Sequence, residues 1–482
     1  MWETLSQYWN WATAALAALD VVIVLCVIPW VLWIKKEPTS AVAWCLLVLF
    51  LPLFGAAFFV TFGYQTIYRP LRRKQKHRRR YRQKSECGPP IEEGAADERA
   101  LGYEGLARLA NLLEASGPTD GNAVTFYNEG RPAFDAVFAE IEKAKHHIHL
   151  QFFIYRSDHL GKRLFELLGR KAREGVEVRL LTDAVGSHQL YWWQLTDVRK
   201  AGVKVSAFLP MRLFRRAHIN LRNHRKIVIV DGRVAFTGGM NVGDEYLGEV
   251  KAFGHWRDTF LRIEGPAVDP LQRLFVEDWD FSTNESLSGN RYFPALDAPS
   301  SVAVQVIASG PDQPLHPIRE LLFAAIIKAK KRLWLVSPYF VPDPGIQDAL
   351  HMAARTGVDV RLLIPKLSDH WLAHYAGLYF VPDMLEAGVK VYYYTKGFLH
   401  SKVVMVDGQW ASVGTANLDN RSLYLNFEVN CLIHTPAAVA DLEEAFLADL
   451  KDSDEMTARD LARQPLRTRL ASNFCRLFAP VL

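Results

Sequence analysis

The sequence predicts an α/β protein of two similar lobes, each a mixed β-sheet flanked by helices, preceded by an N-terminal two-helix transmembrane hairpin. Three observations carry this reading. Two apolar stretches stand at the N-terminus, two segments of the body resemble each other, and one polar signature occurs twice at identical spacing.

Residues 12–34 are apolar apart from Thr13 and Asp20, and residues 41–63 carry no charge. Each stretch is long enough to cross a hydrocarbon core of roughly 30 Å at about 1.5 Å per residue. Trp9, Trp11, Trp30, Trp33, Tyr64 and Tyr68 stand near their ends, where interfacial belts lie. No Lys or Arg precedes Trp11 and two apolar segments follow in succession, unlike a cleaved signal. The expected domain is 1–68, with helices at about 12–34 and 41–63. Asp20 reads as a packed or water-reaching residue.

Ten Lys and Arg lie between Arg69 and Lys84 with no acid among them, while residues 85–482 hold 45 basic and 49 acidic residues. The body is therefore not a basic nucleic-acid binder, and no nucleic-acid partner is expected. The stripe outweighs Lys35 and Lys36, which predicts that the N-terminus and the body are both cytoplasmic. Contact with anionic headgroups is a second use, at about 1 kcal/mol per basic residue. The five cysteines show neither disulfide nor zinc spacing, which fits a reducing compartment.

Residues 69–120 read as the basic stripe followed by a Gly-, Pro-, Glu- and Ala-rich linker with a short helix. The lobes follow at 121–300 and 301–482. Arg173-Glu174-Gly175-Val176-Glu177-Val178-Arg179-Leu180-Leu181 matches Arg355-Thr356-Gly357-Val358-Asp359-Val360-Arg361-Leu362-Leu363, and Ala201–Val205 matches Ala387–Val391. Each match is a helix, a Gly stop and an apolar run of strand length. Such alternation argues for a central sheet. The first lobe carries about ten extra residues before its signature, including Arg212, Arg215, Arg216, His218 and Arg222. That insert reads equally as a solvated loop or as a contact for an anionic substrate or membrane.

The signature is His224-Arg225-Lys226, Asp231-Gly232, Gly238-Gly239 and Asn241, repeated as His400-Ser401-Lys402, Asp407-Gly408, Gly414-Thr415 and Asn417. His and Lys at i, i+2 on a strand share a face. Apolar runs Ile227–Val230 and Val403–Val406 hold that face, and Asp-Gly makes a hairpin turn. The Gly pair lets backbone N–H groups approach an anion, and Asn adds an amide donor. If the units face each other, two His, two Lys and two Asn form a cationic, donor-rich pocket for a phosphodiester. No cofactor and no metal are expected.

These residues resemble the phospholipase D superfamily, with its paired H-x-K-x4-D motif. Asn417–Ser422 with Leu425–Glu428, and Trp256-Arg257-Asp258 with Glu264-Gly265-Pro266, are similar to bacterial cardiolipin synthases, as is the N-terminal hairpin. The resemblance implies two phospholipase D-like lobes in a bacterial inner membrane. It also implies transfer of a phosphatidyl group between two phosphatidylglycerol molecules, giving cardiolipin and glycerol. His224, Lys226, Asp231, His400, Lys402 and Asp407 would be catalytic, with Asn241, Asn417, Asp258 and Glu428 supporting. One His would form a phosphohistidine and the other would move the proton. The resemblance leans to His224 as nucleophile, and the residues alone leave the two open. It places Glu428 behind His400, and the matching strands then make Asp258 the counterpart for His224.

Asp231 and Asp407 also read as hairpin residues that brace the Lys or the turn. His147 and His149 share a strand face without a carboxylate cluster, which disfavours a metal role. His370 and His374 read as lobe-surface residues near a lipid entrance, and Trp192, Trp193, Trp371 and Tyr392–Tyr394 as mostly core. The alternative function is a membrane-anchored phospholipase D releasing phosphatidic acid. A dead scaffold is disfavoured by two intact signatures.

Overall fold

The computed structural model describes residues 2–35, 37–63, 71–78, 104–113, 115–188, 190, 195–210, 220–313 and 315–482. Lys36, Tyr64, Tyr68, Arg69, Arg79, Arg80, Arg82, Lys84, Trp192, Trp193, Arg212, Arg215, Arg216 and His218 lie outside the described residues. The described residues form two compact units, one up to Arg72 and one from Arg73 onward.

The N-terminal unit opens on a helix, Trp2–Ile34. Glu37 caps the next one, Pro38–Phe50, accepting from the Thr39 and Ser40 N–H groups at 3.1 and 2.5 Å. Leu51 then leaves the helical region, at φ −136° and ψ 70°, because Pro52 follows it. The helix Pro52–Phe58 turns back on its predecessor. A Cβ on Gly55 would lie 2.6 Å from the Leu47 carbonyl oxygen, so only glycine permits this approach. The Phe59 ring packs edge-on against Trp30 and Trp44, with centroids 5.5 and 5.4 Å away.

The expected single helix over 41–63 is thus two short helices and a π-helical turn, Phe59–Gly63. The 13-residue helix Pro38–Phe50 spans about 20 Å, short of a bilayer core. Among the described residues, one helix is long and apolar enough to cross a membrane, at Ser6–Ile34. A proline between two apolar runs decided this, and a count of apolar residues does not register it.

The second unit is built on one large mixed sheet. Its first-lobe strands are β1 (Thr119–Glu129), β2 (His147–Phe152), β3 (Glu177–Asp183), β4 (Lys204–Phe208), β5 (Ile227–Val230), β6 (Val234–Gly238) and β7 (His255–Glu264). The second-lobe strands are β8 (Val302–Ser309), β9 (Arg332–Val336), β10 (Phe340–Val341), β11 (Asp359–Pro365), β12 (Lys390–Tyr394), β13 (Gly397–Leu399), β14 (Val403–Val406), β15 (Trp410–Gly414), β16 (Leu418–Asp419), β17 (Glu428–Ile433) and β18 (Ser453–Glu455).

The order β1-β7-β6-β5-β2-β3-β4 in the first lobe is repeated as β8-β17-β15-β14-β9-β11-β12 in the second. In both, the last three strands are parallel and the rest antiparallel. The duplication read from short sequence matches therefore extends to topology. Strands β1 and β8 pair antiparallel, Thr119 with Val304 and Asn122 with Val302, and join the lobes into one sheet. Helices Gly130–Lys143 and His159–Arg173 bury Phe134, Val137, Leu164 and Leu168 against the first half. Helices Pro317–Lys328 and Pro344–Arg355 do the same for the second with Leu321, Leu322, Ile346 and Leu350.

His147 and His149 belong to the packing under helix Val268–Thr283. Gln272 bonds both rings, at 3.2 and 3.0 Å, and Phe275 stacks on His149. Burial pushes the His147 imidazole down to about 4.

Candidate active site

Each signature sits where a fully buried strand begins. His224-Arg225-Lys226 leads into β5 and His400-Ser401-Lys402 into β14, whose four residues are all buried. At the far end of each strand the chain turns through Asp231-Gly232 or Asp407-Gly408, all four with φ between 53° and 69°. The Asp231 carboxylate accepts from the N–H groups of Lys145, His146 and His147 at 2.8, 2.8 and 2.9 Å. Asp407 accepts from Lys330, Lys331 and Arg332 at 2.9, 2.7 and 2.7 Å. Both acids are therefore a strand's length from the paired histidines. They clamp the starts of β2 and β9 through backbone N–H groups.

The histidines are backed by carboxylates of the opposite lobe. His224 Nδ1 lies 3.0 Å from both oxygens of Glu428, and His400 Nδ1 lies 2.7 Å from Asp258 Oδ2. This reverses the expected pairing of Asp258 with His224 and Glu428 with His400. The backbone explains the exchange. The His224 N–H donates to Phe427 O at 2.9 Å, and the His400 N–H to Arg257 O at 2.7 Å. Strand β13 also runs parallel to β7, Leu399 opposite Arg257. Each histidine is thereby attached to the far lobe's strand one residue before that lobe's acid.

The Gly-Gly and Gly-Thr pairs do not offer their N–H groups to a ligand. The Gly239 N–H donates to Thr259 O at 3.0 Å and the Thr415 N–H to Val429 O at 2.9 Å. Gly239 instead makes room, since a Cβ there would stand 1.9 Å from Asp258 Oδ1. At the matching place in the second lobe, Thr415 Oγ1 donates to Glu428 at 2.5 Å. Glu428 also accepts from Asn426 Nδ2 at 3.2 Å, and Asp258 from the Thr259 N–H at 2.7 Å.

Electrostatics follow from burial. Burial, helped by Lys226 and Lys402, pushes the His224 imidazole down to about 4 against the pull of Glu428. Burial and Lys402 also lower His400, with Asp258 opposing. Burial disfavours the charged carboxylates, yet His224 beside Glu428 and His400 beside Asp258 hold both acids below the ordinary range. The neutral His224 ring must carry its proton on Nδ1, facing Glu428, which leaves the Nε2 lone pair available. Burial lowers both lysines, Lys402 to about 8. Lys226 Nζ donates to the His224 carbonyl at 2.7 Å, and Lys402 Nζ to that of His400.

The asparagines are held in place. Asn241 Oδ1 accepts from the Ile154 N–H at 3.0 Å and its Nδ2 donates to Tyr246 OH at 2.7 Å. Asn417 Nδ2 donates to Asp419 at 3.0 Å. Tyr339 donates to Asp369 at 2.6 Å, and the Asp369 charge favours the protonated forms of His400 and Lys402. His370 follows Asp369 as the N-cap of helix Trp371–Leu378, and His374 lies one turn inside that helix.

Behind His224 lies a residue the sequence did not single out. Asp278, fully buried on helix Val268–Thr283, accepts from Arg225 Nη1, Asn223 Nδ2 and Gln151 Nε2 at 2.8, 2.9 and 2.9 Å. Arg225 Nε reaches across to the Glu428 carbonyl at 3.1 Å. Burial raises the Asp278 carboxyl, but Arg225 and Lys74 outweigh it and hold it far below its ordinary value. Lys74 comes from the basic stripe. It is buried, 3.2 Å from Asp278 and 3.3 Å from Asp312, while His77 meets Asp280 at 3.1 Å and Arg78 meets Glu277 at 3.3 Å. Part of the stripe is therefore spent on acids of the body some 200 residues away, as Lys74 is 238 residues from Asp312. No local pattern announces such a pairing. Arg222, from the insert before the first signature, is bound to Asp183 at 3.1 Å.

Two histidine–lysine half-sites built by a duplicated sheet, each completed by the other lobe, define a phospholipase D-like protein. A family described as "Cardiolipin synthase, PLD-like domain" matches residues 137–279 and 322–450, one copy on each lobe. The cardiolipin synthase of Geobacillus kaustophilus is 41% identical over 93% of this chain and 90% of its own. That of Halalkalibacterium halodurans is 36% identical over 100% of this chain and 97% of its own. The solved phosphatidylserine synthase of Haemophilus influenzae shares the fold, with a TM-score of 0.58 over 78% of this chain and 100% of that one, at 15% identity. The chain belongs to the cardiolipin synthase family. With its N-terminal apolar helix it is a membrane protein.

Proposed function

We propose that the chain transfers a phosphatidyl group from one phosphatidylglycerol to another, forming cardiolipin and releasing glycerol. The supporting observation is the crossed pair of dyads, His224–Glu428 and His400–Asp258, beside two buried lysines. Nε2 of His224 attacks phosphorus. The P–N bond forms as the P–O bond to glycerol breaks, and His400 gives its proton to the departing oxygen. A hydroxyl of the second phosphatidylglycerol then gives its proton to His400 and attacks phosphorus. The P–N electron pair returns to His224. Lys226, Lys402 and the amides of Asn241 and Asn417 stabilise charge on the equatorial oxygens.

The division of roles rests on the carboxylates. Glu428 already accepts from Thr415 and Asn426, whereas the Asp258 oxygen facing His400 has the shorter bond to the ring. Asp258 is the better partner for an imidazolium, so His400 is the proton carrier and His224 the nucleophile. Activity needs both lobes and no added metal, because the lysines supply the positive charge.

The lobes lie on the cytoplasmic face of the inner membrane, supported by the ten-charge stripe. The second apolar stretch, folded on itself, returns to the side it left. Lys35, Lys36 and the stripe then share one face, and the N-terminus lies on the other.

The test is product analysis. Purified protein given phosphatidylglycerol, without nucleotide, makes cardiolipin and free glycerol. Phosphatidic acid as the sole product would instead identify a phospholipase D.

A further inference from the structure

The C-terminal helix, Leu466–Cys475, and the turn after it, Arg476–Val481, take no part in the site described above. Leu466, Leu470, Phe474 and Leu477 are spaced by four, four and three residues, which puts them on one helical face. They are 71, 61, 58 and 68% exposed. A continuous apolar face left in solvent marks an interaction surface. Residues 463–482 contain four arginines and no acid. Helix Trp371–Leu378 packs against this one and presents Trp371, itself 66% exposed, on the same part of the body.

The end of the chain is also fastened to the catalytic loops. The Arg421 N–H donates to Leu482 O at 2.6 Å, and Asn420 Nδ2 to Ala479 O at 3.1 Å. These two residues close the loop that carries Asn417. Arg421 Nη2 reaches Asn220 O in the first lobe at 3.1 Å, four residues before His224. Hydrogen bonds therefore link the end of the apolar segment to loops of both halves of the site.

We propose that this face, Leu466 to Leu477 with Trp371, lies in the surface of a bilayer rich in anionic phospholipid and seats the active site on the source of its substrate. Apolar side chains on an arginine-rich segment match an interfacial helix on an anionic membrane. A second copy of the chain is the poorer occupant, because pairing through this face brings two arginine-rich segments together. The inference rests on a lipid substrate drawn from the bilayer. It does not depend on which histidine is the nucleophile.

The test uses the full chain with Leu470→Glu and Phe474→Glu. Turnover of a short-chain phosphatidylglycerol dispersed as monomers stays as in the parent. KM for phosphatidylglycerol presented in vesicles rises roughly tenfold, because a charge replaces a buried apolar contact. Unchanged KM on vesicles overturns the proposal. A nitroxide at Leu470→Cys, in a chain whose Cys26, Cys45 and Cys87 are alanine, gives an answer that needs no activity. In vesicles of phosphatidylglycerol and phosphatidylcholine the label collides with oxygen and is shielded from an aqueous nickel chelate. A label open to nickel overturns the proposal, as does shielding with strong label–label coupling, which would mean that a second copy covers the face.

Discussion

His224 and Glu428 are 204 residues apart and in different lobes, yet Nδ1 of the one stands 3.0 Å from both carboxylate oxygens of the other. With His400 and Asp258 as the mirror pair, neither lobe contains a complete histidine–carboxylate dyad. The duplication thus yields one site.

The crossing predicts which variants behave alike. Glu428→Gln leaves His224 poorly oriented and blocks phosphohistidine formation, as His224→Ala does. Asp258→Asn acts like His400→Ala. With a donor whose leaving group needs no proton, both still form the covalent lipid and accumulate it. Each full-reaction loss is about 10²–10⁴-fold. Rapid-quench trapping of labelled protein checks the pairing, and the opposite grouping of phenotypes would restore the within-lobe arrangement.

Asp231 and Asp407 are structural clamps, so their loss appears in stability. Asp231→Ala or Asp407→Ala frees three backbone N–H groups at the start of a buried strand. Each lowers unfolding free energy by roughly 1–3 kcal/mol. Thermal unfolding falls, while kcat per folded molecule stays within a few-fold. A thousandfold loss of kcat in a fully folded variant would return these acids to the chemistry.

The pH profile separates the ionisable groups. With the activated donor, bond formation needs His224 neutral and Lys402 charged. The free-enzyme kcat/KM then rises with pH through about 4 and falls through about 8. Lys402→Arg removes the upper limb. With the natural donor His400 must carry a proton, and its lowered pKa brings the descending limb below 6.5. A natural-substrate optimum above pH 8 would contradict this order.

Lys74→Met removes one of the two cations on Asp278. An uncompensated buried charge costs roughly 3–5 kcal/mol, and the remaining Arg225 reduces that figure. Both Tm and kcat fall, because Asp278 braces the residues either side of His224, and Lys74→Arg restores most of each. Full activity in Lys74→Met would make the contact irrelevant to the site.

Topology is read by labelling. A cysteine replacing Ser6 reacts with an impermeant thiol reagent from outside. One replacing Ser40 and one replacing Ser85 are protected until the membrane is opened. Labelling at Ser40 from outside would restore a two-crossing hairpin.

Much of this protein was decided by local sequence. The alternation of helix, glycine and apolar run makes each lobe's strands, because periodicity and turn chemistry act over a few residues. The twin His-x-Lys pairs stand just before β5 and β14, because each is followed at once by a four-residue apolar run that forms a buried strand. Asp231 and Asp407 take a left-handed turn because a glycine follows each. Only the tertiary structure decided which carboxylate serves which histidine. Within-lobe and crossed pairing leave the same spacing in the chain, and the backbone bonds from His224 to Phe427 and from His400 to Arg257 choose between them. It also gave Lys74 a buried partner, since charges far apart in sequence meet only when the intervening chain folds. The break in the second apolar stretch was local again, since Pro52 bars Leu51 from the helical region whatever the hydrophobicity of its neighbours.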